Sequence, residues 1–162
     1  MRQTPTDVRA PLLDRLVDED PRRASETVPK RALTRRQYRD SVRRDLVWLL
    51  NTRTPIPTRF AAPSAGGGEL TVLDYGIPDF GDLFSANRRD WSRLARSIER
   101  ALAAFEPRLA NPVVEVVAEA GDIRRLGVHI SATLIAERDR EPFSFPLVYD
   151  LEREAFTGLD DA

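Results

Sequence analysis

The triplet Glu106-Pro107-Arg108 sets opposite charges on either side of a residue whose φ is locked, so a carboxylate and a guanidinium are presented in a fixed relation. Two uses fit that chemistry. Arg108 could neutralise the negative end of a preceding helix while Glu106 pairs locally, or the pair could dock into another protein through charge-assisted hydrogen bonds. Spacing leaves both open. Other chemistry is sparse. There is no cysteine and one histidine, His129, so neither a thiolate zinc site nor a multi-histidine centre can be assembled. No Gly-x-Ser-x-Gly elbow is present, and any nucleophile that needs an imidazole base would have to use His129. The run Gly66, Gly67 and Gly68 lacks the Gly-Lys-Ser/Thr continuation that cradles a nucleotide phosphate, and reads as a linker. The 26 acidic residues keep a two-carboxylate hydrolase formally open, since a glycosidase needs only a pair roughly 5–10 Å apart. The expectation is no catalytic residue, no metal and no cofactor.

The triplet must sit where a helix gives way to a strand. Upstream, Trp91, Leu94, Ala95, Ile98, Leu102 and Phe105 recur at helical spacing from a start near Asn87, an N-cap with Asp90 three residues on. Pro107 stops that helix at Phe105 or Glu106. Downstream the repeat becomes that of strands with one buried face. Val114, Val116, Ala118 and Ala120 alternate with Val113, Glu115, Val117 and Glu119, and Gly121-Asp122 turns the chain. Leu126, Val128, Ile130, Ala132 and Leu134 then share one face, with His129 on the polar side, where it reads as a half-exposed strand residue. Phe143, Phe145, Leu147, Tyr149 and Leu151 make a third strand. Pro146 lies inside that strand, and because a central strand needs an amide at each pairing position, the spacing predicts an edge. An open edge can accept a strand from another protein.

Before these elements, Tyr38, Val42, Leu46, Leu49 and Leu50 predict a helix over 38–50, ended by Asn51 and Pro55. A loop carrying Pro55, Pro57, Pro63 and the glycine run follows to residue 69. Residues 1–37 read as a charged, proline-rich arm with one short amphipathic helix, Leu12, Leu13, Leu16 and Val17, which either packs on the domain or inserts into a neighbour. Helices first and strands last predict an α+β fold. We expect N-terminal helices and one long helix on a small, mainly antiparallel sheet of about three strands with an open edge, in a single domain over 38–162.

The 162 residues, 41% of them hydrophobic, suffice for one core. No apolar run of about 18 residues exists to cross a bilayer, and the polar start lacks a signal-peptide core, so a cytoplasmic location without membrane insertion is expected. The net charge of −1 conceals 14 basic against 8 acidic residues in 1–60, a balance of +6, and 11 against 18 thereafter, a balance of −7. Arg22, Arg23, Arg31, Arg35, Arg36, Arg39, Arg43 and Arg44 could track phosphates, but a single aromatic, Tyr38, interleaves them. A solvated helix face or a protein interface is the better reading, with no nucleic-acid partner.

Four segments in order carry a resemblance: Pro11-Leu12-Leu13-Asp14-Arg15-Leu16; Ser41-Val42-Arg43-Arg44-Asp45-Leu46 through Leu50-Asn51-Thr52-Arg53; Val72-Leu73-Asp74-Tyr75-Gly76-Ile77-Pro78-Asp79-Phe80; and Phe105-Glu106-Pro107-Arg108-Leu109. Together they resemble the TssE family of type VI secretion baseplate proteins, relatives of the phage-tail wedge protein that initiates the sheath. The resemblance implies a non-enzymatic wedge subunit that joins TssF and TssG near TssK, starts the TssB/TssC sheath, and works at the baseplate docked on the inner-membrane complex. It gives Glu106, Pro107 and Arg108 a partner-binding role, and places Phe143, Phe145 and Leu147 in the sheath-facing strand region. Tyr75, Gly76, Pro78 and Phe80 read first as a structural turn. Some phage relatives were long labelled lysozymes, so a peptidoglycan-cleaving hydrolase is the alternative. The loop 55–69 is longer than the family leads one to expect, and Asp74 stands where an Asn is commoner.

Overall fold

The computed structural model of the chain describes residues 8–17, 22, 31–54, 71–80, 88–119, 121–137 and 139–158. Ahead of Thr34, three short pieces are described. Strand β1 (Val8–Arg9) pairs antiparallel with β2 (Ala32–Leu33), and between them in sequence lies a five-residue helix, α1 (Leu12–Leu16). Val8, Ala10 and Leu33 are buried in the same core as the helices and sheet that follow.

Thr34 begins the next helix, α2 (Arg35–Asn51), through a capping box: the Gln37 amide donates to the Thr34 hydroxyl at 3.3 Å, and the Thr34 amide donates to Gln37 Oε1 at 2.9 Å. That reciprocal bond starts the helix three residues before Tyr38, where the apolar spacing alone had placed it. Its buried face is Tyr38, Val42, Leu46, Leu49 and Leu50, as the spacing predicts, with Ser41 among them. A turn of 3₁₀ helix (Val72–Asp74) precedes α3 (Arg88–Phe105), whose buried residues are Leu94, Ile98, Ala101 and Leu102. Helix α3 ends at Phe105, one residue short of Glu106-Pro107. The expected cap Asn87, the loop 55–69 with its glycine run, and Ala120 lie outside the described residues.

The sheet corrects the expected count. Its order is β3 (Leu109–Ala118), β4 (Arg125–Ala136), β5 (Asp139–Asp150) and β6 (Ala155–Gly158), all antiparallel, four strands where about three were expected. Strand β6 carries a single large apolar residue, Phe156, in four residues, too few to display a repeat. Strand β3 begins with a bulge between Ala110 and Val113. Asn111 there takes φ +52°, a conformation Asn tolerates, and Pro112 sits where the ladder is already interrupted. The inner face, from Val114, Leu126, Val128, Ile130 and Leu134 to Phe143, Phe145, Leu147, Tyr149 and Phe156, forms one core with the stripes of α2 and α3. The opposite face carries exposed Glu115, His129, Ser131 and Ser144.

Strand β5 is not a simple edge. Strand β6 pairs with Leu147–Asp150, which leaves Asp139–Pro146 without a described strand on that side. The alternation of ladder bonds explains why Pro146 is tolerated. Leu151 donates to Arg124 of the β4 side, so odd-numbered residues of β5 aim their backbone at β4 and even-numbered ones aim away. The missing amide of Pro146 therefore falls on the outer side, opposite no described residue of β6.

Candidate charged corner and sheet edges

The seam between α3 and β3 is a largely internal ionic cluster. Glu106 is 4% exposed. Its Oε1 accepts from Arg108 Nε at 2.6 Å and from the Arg108 amide at 3.2 Å, and its Oε2 meets Arg108 Nη2. The same Nη2 donates to Asp45 Oδ2 of α2 at 2.7 Å. Nη1 has only a 3.5 Å contact to the Ser41 hydroxyl, so of the five guanidinium N–H groups the spare donors are on Nη1. Arg108 retains 19% side-chain exposure and Asp45 21%. Burial by itself would lower the Arg108 pKa, but the Glu106 and then the Asp45 carboxylates outweigh it and raise the pKa above its ordinary value. The guanidinium is thus a fixed, permanent charge.

The cluster extends along α2. Arg44 donates to Asp45 at 3.0 Å and to Asp14 of α1 at 2.9 Å, and Ser41 donates to the other Asp14 oxygen at 2.6 Å. Burial would lower the Arg44 pKa, and hydrogen bonds to Asp14 and Asp45 raise it instead. Spacing pointed to Glu106 and Arg108 and missed Asp45, Ser41 and Asp14. The signal was available in part: Ser41 and Asp45 lie four residues apart, one helical turn, on the face of α2 that carries Tyr38 and Val42.

The remaining arginines of α2 spend their charge within the chain. Arg35 pairs with Asp139, Arg39 with Glu141 at 2.7 Å, and both Arg36 and Arg43 approach Asp40, at 4.0 and 3.7 Å. The row that could track phosphates is interleaved with its own carboxylates.

The Tyr75–Phe80 segment is sewn to the end of α2. Ile77 donates to the Thr52 carbonyl and Thr54 donates to the Ile77 carbonyl, both at 2.9 Å, in a parallel bridge between Arg53 and Ile77. Gly76 has φ +110°, and a Cβ there would stand 2.3 Å from the Thr52 oxygen. Pro78 and Phe80 are buried, and the Tyr75 ring meets Phe105 edge-on at 5.4 Å. This places the turn against the last residue of α3, beside the charged seam.

The edges are largely closed by the chain itself. Side chains of Phe143, Phe145 and Leu147 are buried against the helices, and their odd numbers aim their backbone at β4, so as surface residues they are replaced by the even-numbered row Arg140, Pro142, Ser144 and Pro146. Two of those four are prolines, and Arg39 Nη2 approaches the Pro142 carbonyl at 3.4 Å. On β6, Asn51 acts as a strand partner: its amide donates to the Phe156 carbonyl at 2.9 Å and its oxygen accepts from the Phe156 amide at 2.8 Å. On β3, Glu99 of α3 takes the outward amide of Val114 at 3.0 Å. Beyond it, the outward groups of Val116 and Ala118 meet no described strand.

No metal-binding group of three or more His, Asp or Glu residues occurs among the described residues, and no described helix is long and apolar enough to cross a membrane. Comparison with known proteins bears on this arrangement. The sequence model of the family described as baseplate wedge protein gp25 matches residues 36–139, from the first turn of α2 to the start of β5. No curated protein matches. Among solved structures, a chain of "The baseplate complex from the type VI secretion system" has 17% sequence identity and a TM-score of 0.49, with 70% of this chain and 94% of that one covered.

Proposed function

Because the chain belongs to the family of baseplate wedge protein gp25, we propose that it is a non-enzymatic structural subunit of a type VI secretion baseplate wedge, of the TssE kind. The match over residues 36–139 carries this reading, since it contains α2, α3 and the whole Glu106–Arg108–Asp45 corner. In this role the subunit joins TssF and TssG, lies near TssK, and starts the TssB/TssC sheath. It works in the cytoplasm, where the baseplate docks on the inner-membrane complex, and residues 1–37 serve as an arm on the 38–162 domain. Glu106 positions and Arg108 grips: the buried carboxylate holds the guanidinium plane, and Nη1 offers its spare donors to a partner carboxylate or carbonyl. Pro107 fixes the exit from α3. Strand exchange with the sheath uses the edges at Val116 and Ala118 of β3 and the open stretch of β5 ahead of Leu147.

The hydrolase alternative finds no support in the charged corner. The corner carboxylates lie against guanidinium groups rather than in the apolar pocket that a general acid requires.

Capture of purified TssF and TssG tests the corner. Removing one partner of a buried pair costs about 3–5 kcal/mol, so Arg108→Ala confounds binding with unfolding. Arg108→Lys keeps the charge and discards the planar fork. Capture should weaken about tenfold, near 1.4 kcal/mol, with the far-ultraviolet circular dichroism unchanged. Full capture by the folded variant removes the proposed role.

A further inference from the structure

Helix α1 is built inside out. Its aspartate, Asp14, is 5% exposed, while Leu12 and Leu16 are 64% and 70% exposed and Leu13 and Val17 are also out in solvent. A helix that packs on its own domain does the reverse. Burial of the carboxylate is compensated by Ser41 at 2.6 Å and Arg44 at 2.9 Å, so the orientation is fixed by specific bonds rather than left to chance. The same Arg44 guanidinium that bonds Asp14 of α1 lies 5.2 Å from the ring centroid of exposed Trp48. Of the ten large apolar side chains exposed on the described surface, five are these: Leu12, Leu13, Leu16, Val17 and Trp48. Such concentration marks a contact surface rather than scattered exposure.

We propose that α1 together with Trp48 is an apolar docking face for the same baseplate neighbour that the Arg108 corner engages, with Asp14 as the positioning residue that aims it. The inference rests on the baseplate reading. Continuity names the occupant: Asp14, Arg44, Asp45 and Arg108 form an unbroken chain of contacts of 2.7 to 3.0 Å, so a protein seated on Arg108 Nη1 comes up against this face. Chemistry narrows it further. Arg44 is neutralised by Asp14 and Asp45, so the exposed cation of this face is Arg15 on α1, set among the leucines. The matching surface is an amphipathic helix with an apolar stripe toward α1 and a carboxylate or carbonyl toward Arg108.

The experiment uses the full chain and the purified TssF–TssG pair as probe, comparing wild type with Leu12→Asp plus Leu16→Asp, and with Asp14→Asn and Asp14→Glu. The proposal expects the leucine variant to lose about tenfold or more in capture at an unchanged thermal midpoint, and Asp14→Glu to capture better than Asp14→Asn. Equal capture by the leucine variant overturns it. A lowered midpoint also overturns it, because the leucines would then be packed on their own chain. Self-association of the wild type that the leucine variant abolishes overturns it in favour of a second copy. Absence of capture by the wild type itself sinks the baseplate reading and this inference together, whereas capture by wild type and leucine variant alike sinks this inference alone.

Discussion

Arg108 divides its fork unevenly: Nε and Nη2 face inward to Glu106 and Asp45, and Nη1 has only a 3.5 Å contact to the Ser41 hydroxyl. The sequence made Glu106 and Arg108 visible through the proline between them. The contact of Arg108 with Asp45, 63 positions apart, leaves no spacing to read, and of the rest of the cluster only the four-residue step from Ser41 to Asp45 on α2 was there to be seen. Phe143, Phe145 and Leu147 were legible as apolar strand residues, but alternation alone does not say whether an apolar face meets the chain's own helices or a partner. Here it meets α2 and α3. Gly76 makes a prediction at this scale. Alanine would have to adopt φ +110° with its Cβ 2.3 Å from the Thr52 oxygen, so Gly76→Ala should cost about 3 kcal/mol or more. A urea titration would show a lowered midpoint, and an unchanged midpoint would mean that the α2 terminus and the turn yield easily.

At the scale of elements, the two long helices and three of the four sheet strands were legible, because each carries enough residues for its repeat to show. The exceptions have physical causes. The start of α2 is set by the Thr34–Gln37 capping box and not by apolar spacing. Strands β1, β2 and β6 are 2, 2 and 4 residues long, held by tertiary contacts rather than by a pattern of their own. Pro146 was read as the mark of an edge strand, but the order β3-β4-β5-β6 makes β5 interior where β6 covers Leu147–Asp150, and only the stretch that holds Pro146 lacks a described partner on that side. Asn51 was read only as a helix end, and it is that, but its amide also closes the β6 edge. Asn51→Ala should therefore cost about 1–3 kcal/mol by leaving two backbone groups of Phe156 without their partners. Hydrogen exchange at the Phe156 amide should accelerate before global unfolding, and unchanged exchange would show that the clamp contributes nothing.

The molecule as a whole joins its helices to its sheet through buried phenols as well as leucines. Tyr38 donates to the Ile135 carbonyl at 3.1 Å, and burial raises the pKa of Tyr38, Tyr75 and Tyr149 above the ordinary 10.0. The unfolded chain then loses those protons before the folded one does. The folded state binds more protons in that range, so stability is intact below about pH 10 and falls as pH rises through the folded values. Urea midpoints between pH 8 and 11 should decline at the alkaline end, together with phenolate absorbance that appears only on unfolding. A midpoint constant to pH 11 would mean that these rings ionise freely in place.

The seat of β1 and α1 is assembled from both near and distant sequence: Asp14 is held by Ser41 and Arg44, while the Arg9 amide donates to Glu137, 128 residues away. On the ribosome, β1 and α1 therefore emerge long before the hairpin that receives Arg9. Its most distant anchor can close only after Glu137 has been made. Until then α1 rests on the nearer bonds of Asp14 to Ser41 and Arg44, so its exposed leucines are held at one end of their lattice of contacts and not yet at the other.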